Sequence, residues 1–278
     1  MSRVLITGAN GQLGNALKAL YPDAICTDVD ELDITSKLSV EQFDWSQVDT
    51  IINAAAYTNV DGAEAPENKN LVWNINAVAV ANLAKAALKH NLTIVHISTD
   101  YVFDGKQEAH DETEPFSPLS VYGQSKAAGD IALSIIPKHY ILRTSWVIGN
   151  GNNFVKTMAG LAEKNISPKV VADQIGRLAF TSDLANGIKH LLDNNCDYGT
   201  YNLTNDGEPA SWADITRLIF TNIGRSDLTV TDTTTKEYFK GKSGIAPRPL
   251  QSTLKLDKIK AVGFAPRDWR EALKDYLT

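Results

Sequence analysis

Cysteine is scarce in this chain: 278 residues hold two, Cys26 and Cys196, far apart in sequence. A disulfide-stapled scaffold is thereby excluded, and both thiols are expected to be reduced and buried. Positive charge is in deficit as well, with 27 Lys and Arg against 33 Asp and Glu and a net charge of −6. No basic field exists to draw nucleic acid or an anionic membrane, so an anionic ligand must be held by local groups. Histidine is sparse: His90, His96, His110, His139 and His190 have no close spacing with Cys or carboxylates, and no ligand set for a catalytic metal is read. No run reaches the ~18 uncharged apolar residues of a membrane span. The opening Met-Ser-Arg leads straight into a strand-like run, without the charged region, apolar core and cleavage site of a secretion signal. These absences point to a cytoplasmic protein with no nucleic-acid or membrane partner.

What is present is an ordinary globular composition, 43% hydrophobic and 22% charged, long enough for one large or two unequal domains. Arg3-Val-Leu-Ile-Thr7 reads as a strand buried on both faces. It runs into Gly8-Ala-Asn10-Gly11-Gln12-Leu13-Gly14 and then the apolar helical face Ala16, Leu17, Leu20. Glycines between a strand and a helix permit the tight turn and the close approach of a pyrophosphate to the helix amino end, so this loop predicts dinucleotide binding. Asp28 ends the second strand, Asp23–Thr27, where a carboxylate bonds the adenosine ribose and repels a 2′-phosphate, which favours NADH. Arg3 or a loop lysine leaves NADPH open. Asp33 and Ile34 are candidates to lie against the adenine. The third strand, Asp49–Asn53, ends in Ala54, Ala55, Ala56 and Tyr57, small residues that let a cofactor approach, although tight packing alone explains them equally. Asn70–His90 has apolar residues at helical spacing, with Asn76 a polar exception placed to order water or backbone beneath a site. Strand and helix go on alternating through Tyr140–Arg143, which predicts an α/β fold with a doubly wound parallel sheet.

The chemistry is expected between Ile97 and Lys126. A strand, Thr93–Ile97, delivers Ser98 and Thr99 at its carboxyl end, where open parallel sheets bind ligands. Tyr122-Gly-Gln-Ser-Lys126 places a phenol and an amine on one helix face. Such a pair alone also reads as a surface helix; the strand end and the glycine loop distinguish it. An adjacent ammonium favours phenolate and lowers the tyrosine pKa from ~10. Tyr122 then serves as a general acid near neutral pH.

After about Val147 the pattern changes. We assign residues 1–147 plus about 181–204 to the dinucleotide-binding domain, and about 148–180 plus 205–278 to a smaller, interleaved α/β substrate domain. Arg248, held by Pro249, is the candidate cation for a substrate diphosphate, because a guanidinium matches phosphate oxygens bidentately. A surface-loop arginine is the plain alternative.

The GxxGxxG loop with the Thr99, Tyr122, Lys126 set resembles the extended short-chain dehydrogenase/reductase family. The stretches ITGANGQLG, NAAAYTNVD, ISTDYVFDG, VYGQSKAAGD, LRTSWVIG, NNFVKTM and RPLQS carry the resemblance, down to Ser252, and together they are far more specific than any one of them. It implies NADH- or NADPH-dependent reduction of the C4 ketone of a nucleotide sugar, dTDP-4-dehydro-L-rhamnose. Tyr122 is then the proton donor, Lys126 bonds the nicotinamide ribose, Thr99 bonds the carbonyl oxygen, and Ser98 lies on the cofactor side. The same resemblance sets Asp100, Val102, Phe103 and Asn153 around the sugar, flanked by Trp146. Ile148, where the family often has tyrosine, and Gln174–Thr181, which lacks the family's proline, depart from the pattern on the substrate side. A 4,6-dehydratase needs an Asp-Glu pair after the threonine, and here Tyr101 follows Asp100. A 4-epimerase and a non-catalytic regulatory subunit stay open, as do a homodimer and a Mg2+ ion with unassigned ligands.

Overall fold

Val4-Leu-Ile-Thr7, four consecutive buried residues, forms β1 (Val4–Thr7). β2 (Ile25–Thr27), β3 (Thr50–Asn53), β4 (Thr93–Thr99), β5 (His139–Thr144) and β6 (Gly199–Asn202) complete its sheet in the computed structural model, which describes residues 3–278. The order is β2-β1-β3-β4-β5-β6, and every pairing is parallel. The doubly wound parallel sheet expected from the alternation is therefore present, and the chain reverses its direction of winding between β1 and β3.

Helices cover both faces because each has one apolar stripe to bury. On one face, Leu13 and Leu17 of α1 (Gln12–Leu20) meet Leu184, Ile188 and Leu191 of a later helix, Thr181–Asp193. On the other, Leu83, Ala84 and Ala87 of α2 (Ala79–His90) pack with Leu133 of α3 (Val121–Ser134). The helical run 66–90 has an 18-residue window of mean hydropathy 1.3, but half of that window is buried inside the fold, as expected of a core helix. Within it, residues Asn74–Val78 make a π-turn. Such turns frequently mark functional sites, and this one carries Asn76 against α3.

A third cluster gathers Ile148, Val155, Met158, Leu178 and Phe180 with Ile215, Phe220, Trp269 and Leu273. Three two-stranded sheets frame it, pairing Val147–Ile148 with Ala179–Phe180, Lys169–Val171 with Thr231–Thr233, and Ile175–Gly176 with Ala210–Ser211. Leu256 and Ile259 return to the first cluster, so part of the C-terminal segment packs on the parallel sheet.

Cys26 corrects the expectation of two buried thiols: it is exposed, and Cys196 is half-buried. β2 is the sheet's edge strand, and it leaves Cys26 exposed while Thr27 is buried.

α3 approaches the π-turn closely at Gly129, where a Cβ would stand 2.3 Å from the Asn76 carbonyl oxygen. Gly129→Ala is expected to destabilise the fold by about 1–3 kcal/mol, read as a lower urea midpoint at unchanged slope. A wild-type midpoint would show that the π-turn and α3 part without cost.

Candidate active site

The carboxyl ends of β1 and β3 meet through glycine. Gly8 has φ +68°, and a Cβ on it would lie 2.6 Å from the Ala55 backbone; one on Gly14 would lie 2.4 Å from the Gly8 carbonyl oxygen. Gly11 supplies the amino-terminal boundary of α1 with no side-chain cap, leaving its first amides open to a ligand. Along this switch point runs a cavity of about 390 Å³ lined by Gly8, Gly11, Asp28, Asp33, Ile34, Ala54, Ala55 and Ala56. Asp28 accepts from the Asn10 and Val29 amides at 3.3 and 3.0 Å, and Asn10 in turn accepts from Lys18 at 3.0 Å. Arg3, expected as a possible partner for a 2′-phosphate, is instead paired with Asp49 at the opposite end of β1. It lines a larger cavity, about 850 Å³, at the amino ends of the strands, far from the catalytic set.

Gly11, Ala54 and Ala56 also line a second cavity, of about 690 Å³. Its wall includes Gln12, Leu13, Ser98, Thr99, Asp100, Tyr122, Lys126 and Trp146. The two spaces thus form one cleft from Asp28 to Tyr122. β4 carries Ser98 and Thr99 to its rim, and Ser120 caps α3 through the Gly123 amide at 3.1 Å, which sets Tyr122 in the helix's first turn. Asn76 reaches across from the π-turn, accepting from the Tyr57 amide at 2.9 Å and donating to Ser125 at 3.0 Å. It therefore ties the loop after β3 to the Tyr122 helix. Tyr57 itself packs on the small cluster of Ala63, Val72 and Tyr122.

Electrostatics depart from the sequence reading in one respect. Tyr122 is raised well above its ordinary value, first by burial and then by the charges of Asp100 and Asp130, while the Thr99 hydroxyl pulls it down. With Lys126 turned to Ile97 and His96, the Thr99 hydroxyl and not the lysine opposes that rise. Lys126 Nζ donates to the Ile97 carbonyl at 2.6 Å and faces His96 Nε2 at 3.2 Å. Burial lowers Lys126 to about 8, against the pull of Asp130. A phenol with a raised pKa keeps its proton at neutral pH, as a proton donor must. Burial likewise raises Asp100 to about 6, with Ser252 and Thr99 lowering it.

Other candidates lie elsewhere. Val102 and Phe103 are completely buried and line neither cavity; Phe103 stacks on His110 at 4.7 Å. Asn153 lines the second cavity but spends its side chain on the helix cap and on Gly149 and Tyr276. Arg248 lies outside both linings, donating to Asp61 at 2.8 Å beside the Phe239 ring. Trp146, at φ +46°, stacks on Trp212 at 3.8 Å, and Gln174 accepts from the Trp212 indole at 3.2 Å. Trp212 also lines the second cavity, and no local sequence signal places it there. His96 was weighed only as a metal ligand, although period-two alternation puts it on the face of Ser98. Among the described residues, no group of three His, Cys, Asp or Glu is placed to hold a metal ion.

Residues 2–278 match the family model described as the RmlD substrate binding domain. The chain belongs to this RmlD family. Its relatives include a dTDP-4-dehydrorhamnose reductase of Aggregatibacter actinomycetemcomitans, 43% identical over 99% of this chain and 98% of that protein. Among solved structures, a dTDP-4-dehydrorhamnose reductase from Clostridium acetobutylicum superposes with a TM-score of 0.91 at 40% identity, covering 99% of this chain and 98% of the other. The Bacillus anthracis reductase, solved in complex with NADP, has a TM-score of 0.90 at 36% identity over the same shares. The chain is thus similar to RmlD reductases along its whole length.

Gly8 combines a positive φ with no room for a Cβ. Gly8→Ala is expected to weaken NADH and NADPH binding at least tenfold, about 1.4 kcal/mol, by calorimetric titration of a protein whose circular dichroism is unchanged. Unaltered affinity would remove the Gly8 loop from the cofactor site.

Proposed function

We propose that this protein reduces the C4 ketone of dTDP-4-dehydro-L-rhamnose to dTDP-L-rhamnose with a reduced nicotinamide cofactor. The observation that carries the reading is the single cleft joining the Gly8 switch point and Asp28 to Thr99, Tyr122 and Lys126. The glycine cradle fits a dinucleotide, since a Cβ at Gly8 would fill the space against Ala55. Full-length similarity to RmlD reductases supports the substrate class.

A bound nicotinamide supplies hydride to the sugar carbon. The protein's own part is to orient the ketone and hold a proton. Thr99 and Tyr122, both on the cavity wall, bond the carbonyl oxygen, and Tyr122 delivers its proton as charge develops there. Burial at 9% exposure keeps that phenol protonated until the oxygen becomes a stronger base. Lys126 as an ammonium steadies the phenolate left behind and bonds the ribose. Stacked Trp146 and Trp212 close the sugar end and limit water. Arg248 exchanges Asp61 for the substrate diphosphate, a bidentate match, and the segments 148–180 and 205–278 supply most of the substrate side. For the cofactor, Asp28 and the lack of a cation among the described lining residues favour NADH, while the B. anthracis relative carries NADP. Both therefore serve as candidate donors.

Purified protein is expected to oxidise NADH or NADPH only when dTDP-4-dehydro-L-rhamnose is present. Tyr122→Phe is expected to lose about 10²–10⁴ of that rate at near-native cofactor affinity. Equal turnover by the Phe variant would refute Tyr122 as the donor.

A further inference from the structure

A buried hydrogen-bond chain runs beneath the cleft through Thr7, Asn53, His96 and Lys126, none of them more than 2% exposed. Its polarity can be read from the backbone outward. Asn53 Oδ1 accepts from the Ala55 amide at 3.2 Å and from the Thr7 hydroxyl at 2.8 Å. The amide is an obligatory donor, so it fixes which end of the Asn53 side chain is oxygen. The other end, Nδ2, is then a donor, and it faces His96 Nδ1 at 3.0 Å. Nδ1 must accept, which leaves the imidazole proton on Nε2. That Nε2–H points at Lys126 Nζ, 3.2 Å away. An ammonium has three donors and no acceptor, so it cannot accept this bond; a neutral amine can, while still donating to the Ile97 carbonyl at 2.6 Å.

We propose that His96, locked by Asn53 as the Nε2–H tautomer, is a positioning residue for Lys126: it captures the unprotonated amine and so sets the alkaline limit of the reduction. When Nζ takes a proton from solvent, its lone pair is gone and the bond from His96 is lost. The ammonium then leaves His96 for the cleft, where the ribose hydroxyls and the Tyr122 phenolate accept from it. His96 does not compete for that proton, because burial and the Lys126 charge hold its own pKa well below the ordinary value. Asp130 on α3 is the charge that acts on Nζ, and it pairs with Arg143 of β5 at 3.3 Å; Tyr122 of α3 and Asp100, in the turn after β4, share the cavity wall with Lys126, while the hydrogen-bond chain from β3 and β1 is the uncharged Asn53 and Thr7. Burial favours the amine and Asp130 favours the ammonium, which places the exchange near pH 8. Below it the ammonium is present and reduction proceeds; above it the amine sits on His96.

The consequence for turnover rests on the reductase reading, whereas the tautomer does not, and two measurements separate them. In cofactor-free protein, two-bond ¹H–¹⁵N imidazole spectra, with the His96 signals assigned by their loss in His96→Gln, are expected to show Nε2–H at a pH above the exchange. Asn53→Asp, which turns a donor into an acceptor, is expected to switch His96 to Nδ1–H. It also moves the alkaline limb of kcat/KM upward by about one pH unit or more, since Nε2 now accepts from the ammonium. His96→Gln, whose carbonyl can accept from Lys126, moves the limb in the same direction and serves if Asn53→Asp does not fold. An Nδ1–H or doubly protonated His96 in the wild-type protein overturns the proposal. So does an unmoved limb in a folded variant, which is what a merely structural His96 would give. Inactive wild-type protein with the Nε2–H tautomer counts against the reductase reading alone.

Discussion

Charge buried beneath a strand end is the constraint around which this molecule is arranged. Lys126 and Asp130 are each 1% exposed and Arg143 is 4% exposed. Ions taken out of water cost several kcal/mol each unless neighbours compensate. Here the compensation comes from several elements at once: Arg143 of β5 for Asp130 and the Glu112 carbonyl for Arg143 at 3.1 Å, while the Ile97 carbonyl of β4 accepts from Lys126. Parallel register makes this feasible, because β4 and β5 run side by side from Ile94 opposite His139 to Thr99 opposite Thr144.

Topology then decides where the charges look out. Winding reverses between β1 and β3, and open parallel sheets bind ligands at such a point. Because Gly8 lacks a Cβ, the two strand ends approach closely enough for one cleft to run from Asp28 to Tyr122. The second half of the chain closes the far side with aromatic surface, Trp146 against Trp212 against Phe154. Trp146 holds a left-handed backbone conformation that non-glycine residues seldom adopt. Strain of this kind persists where packing over-determines it, and such residues cluster at functional sites. Strained backbone and stacked aromatics thus meet at Trp146, on the wall of the cavity that holds Tyr122.

Much of this was legible in the sequence, for physical reasons that differ by element. Strands buried on both faces read as apolar runs, so the parallel sheet followed from alternation and the glycine loop from its place after β1. Tyr122 and Lys126 were legible because helical periodicity puts positions four apart on one face. Their titration was not: spacing predicted a phenol lowered by its lysine, whereas burial raises it and Lys126 turns to Ile97 and His96. Val102 and Phe103 were misdirected by a 3-10 turn at Asp100–Val102 that sends both into the core. Cys26 gave no hint that its strand lies at an edge. His96 and Trp212 owe their roles to partners 30 and 66 residues away, Lys126 and Trp146, and no window of local sequence holds that information.

The account's central claim is net transfer of hydride to the sugar, and isotope placement tests it most directly. With a cofactor deuterated at the transferable C4 position, mass and NMR spectra of the product should show one deuterium at sugar C4, retained in dTDP-L-rhamnose, with one equivalent of oxidised cofactor released. A C4-isomerised sugar without deuterium and without net cofactor oxidation would contradict reduction and assign the cleft to epimerisation.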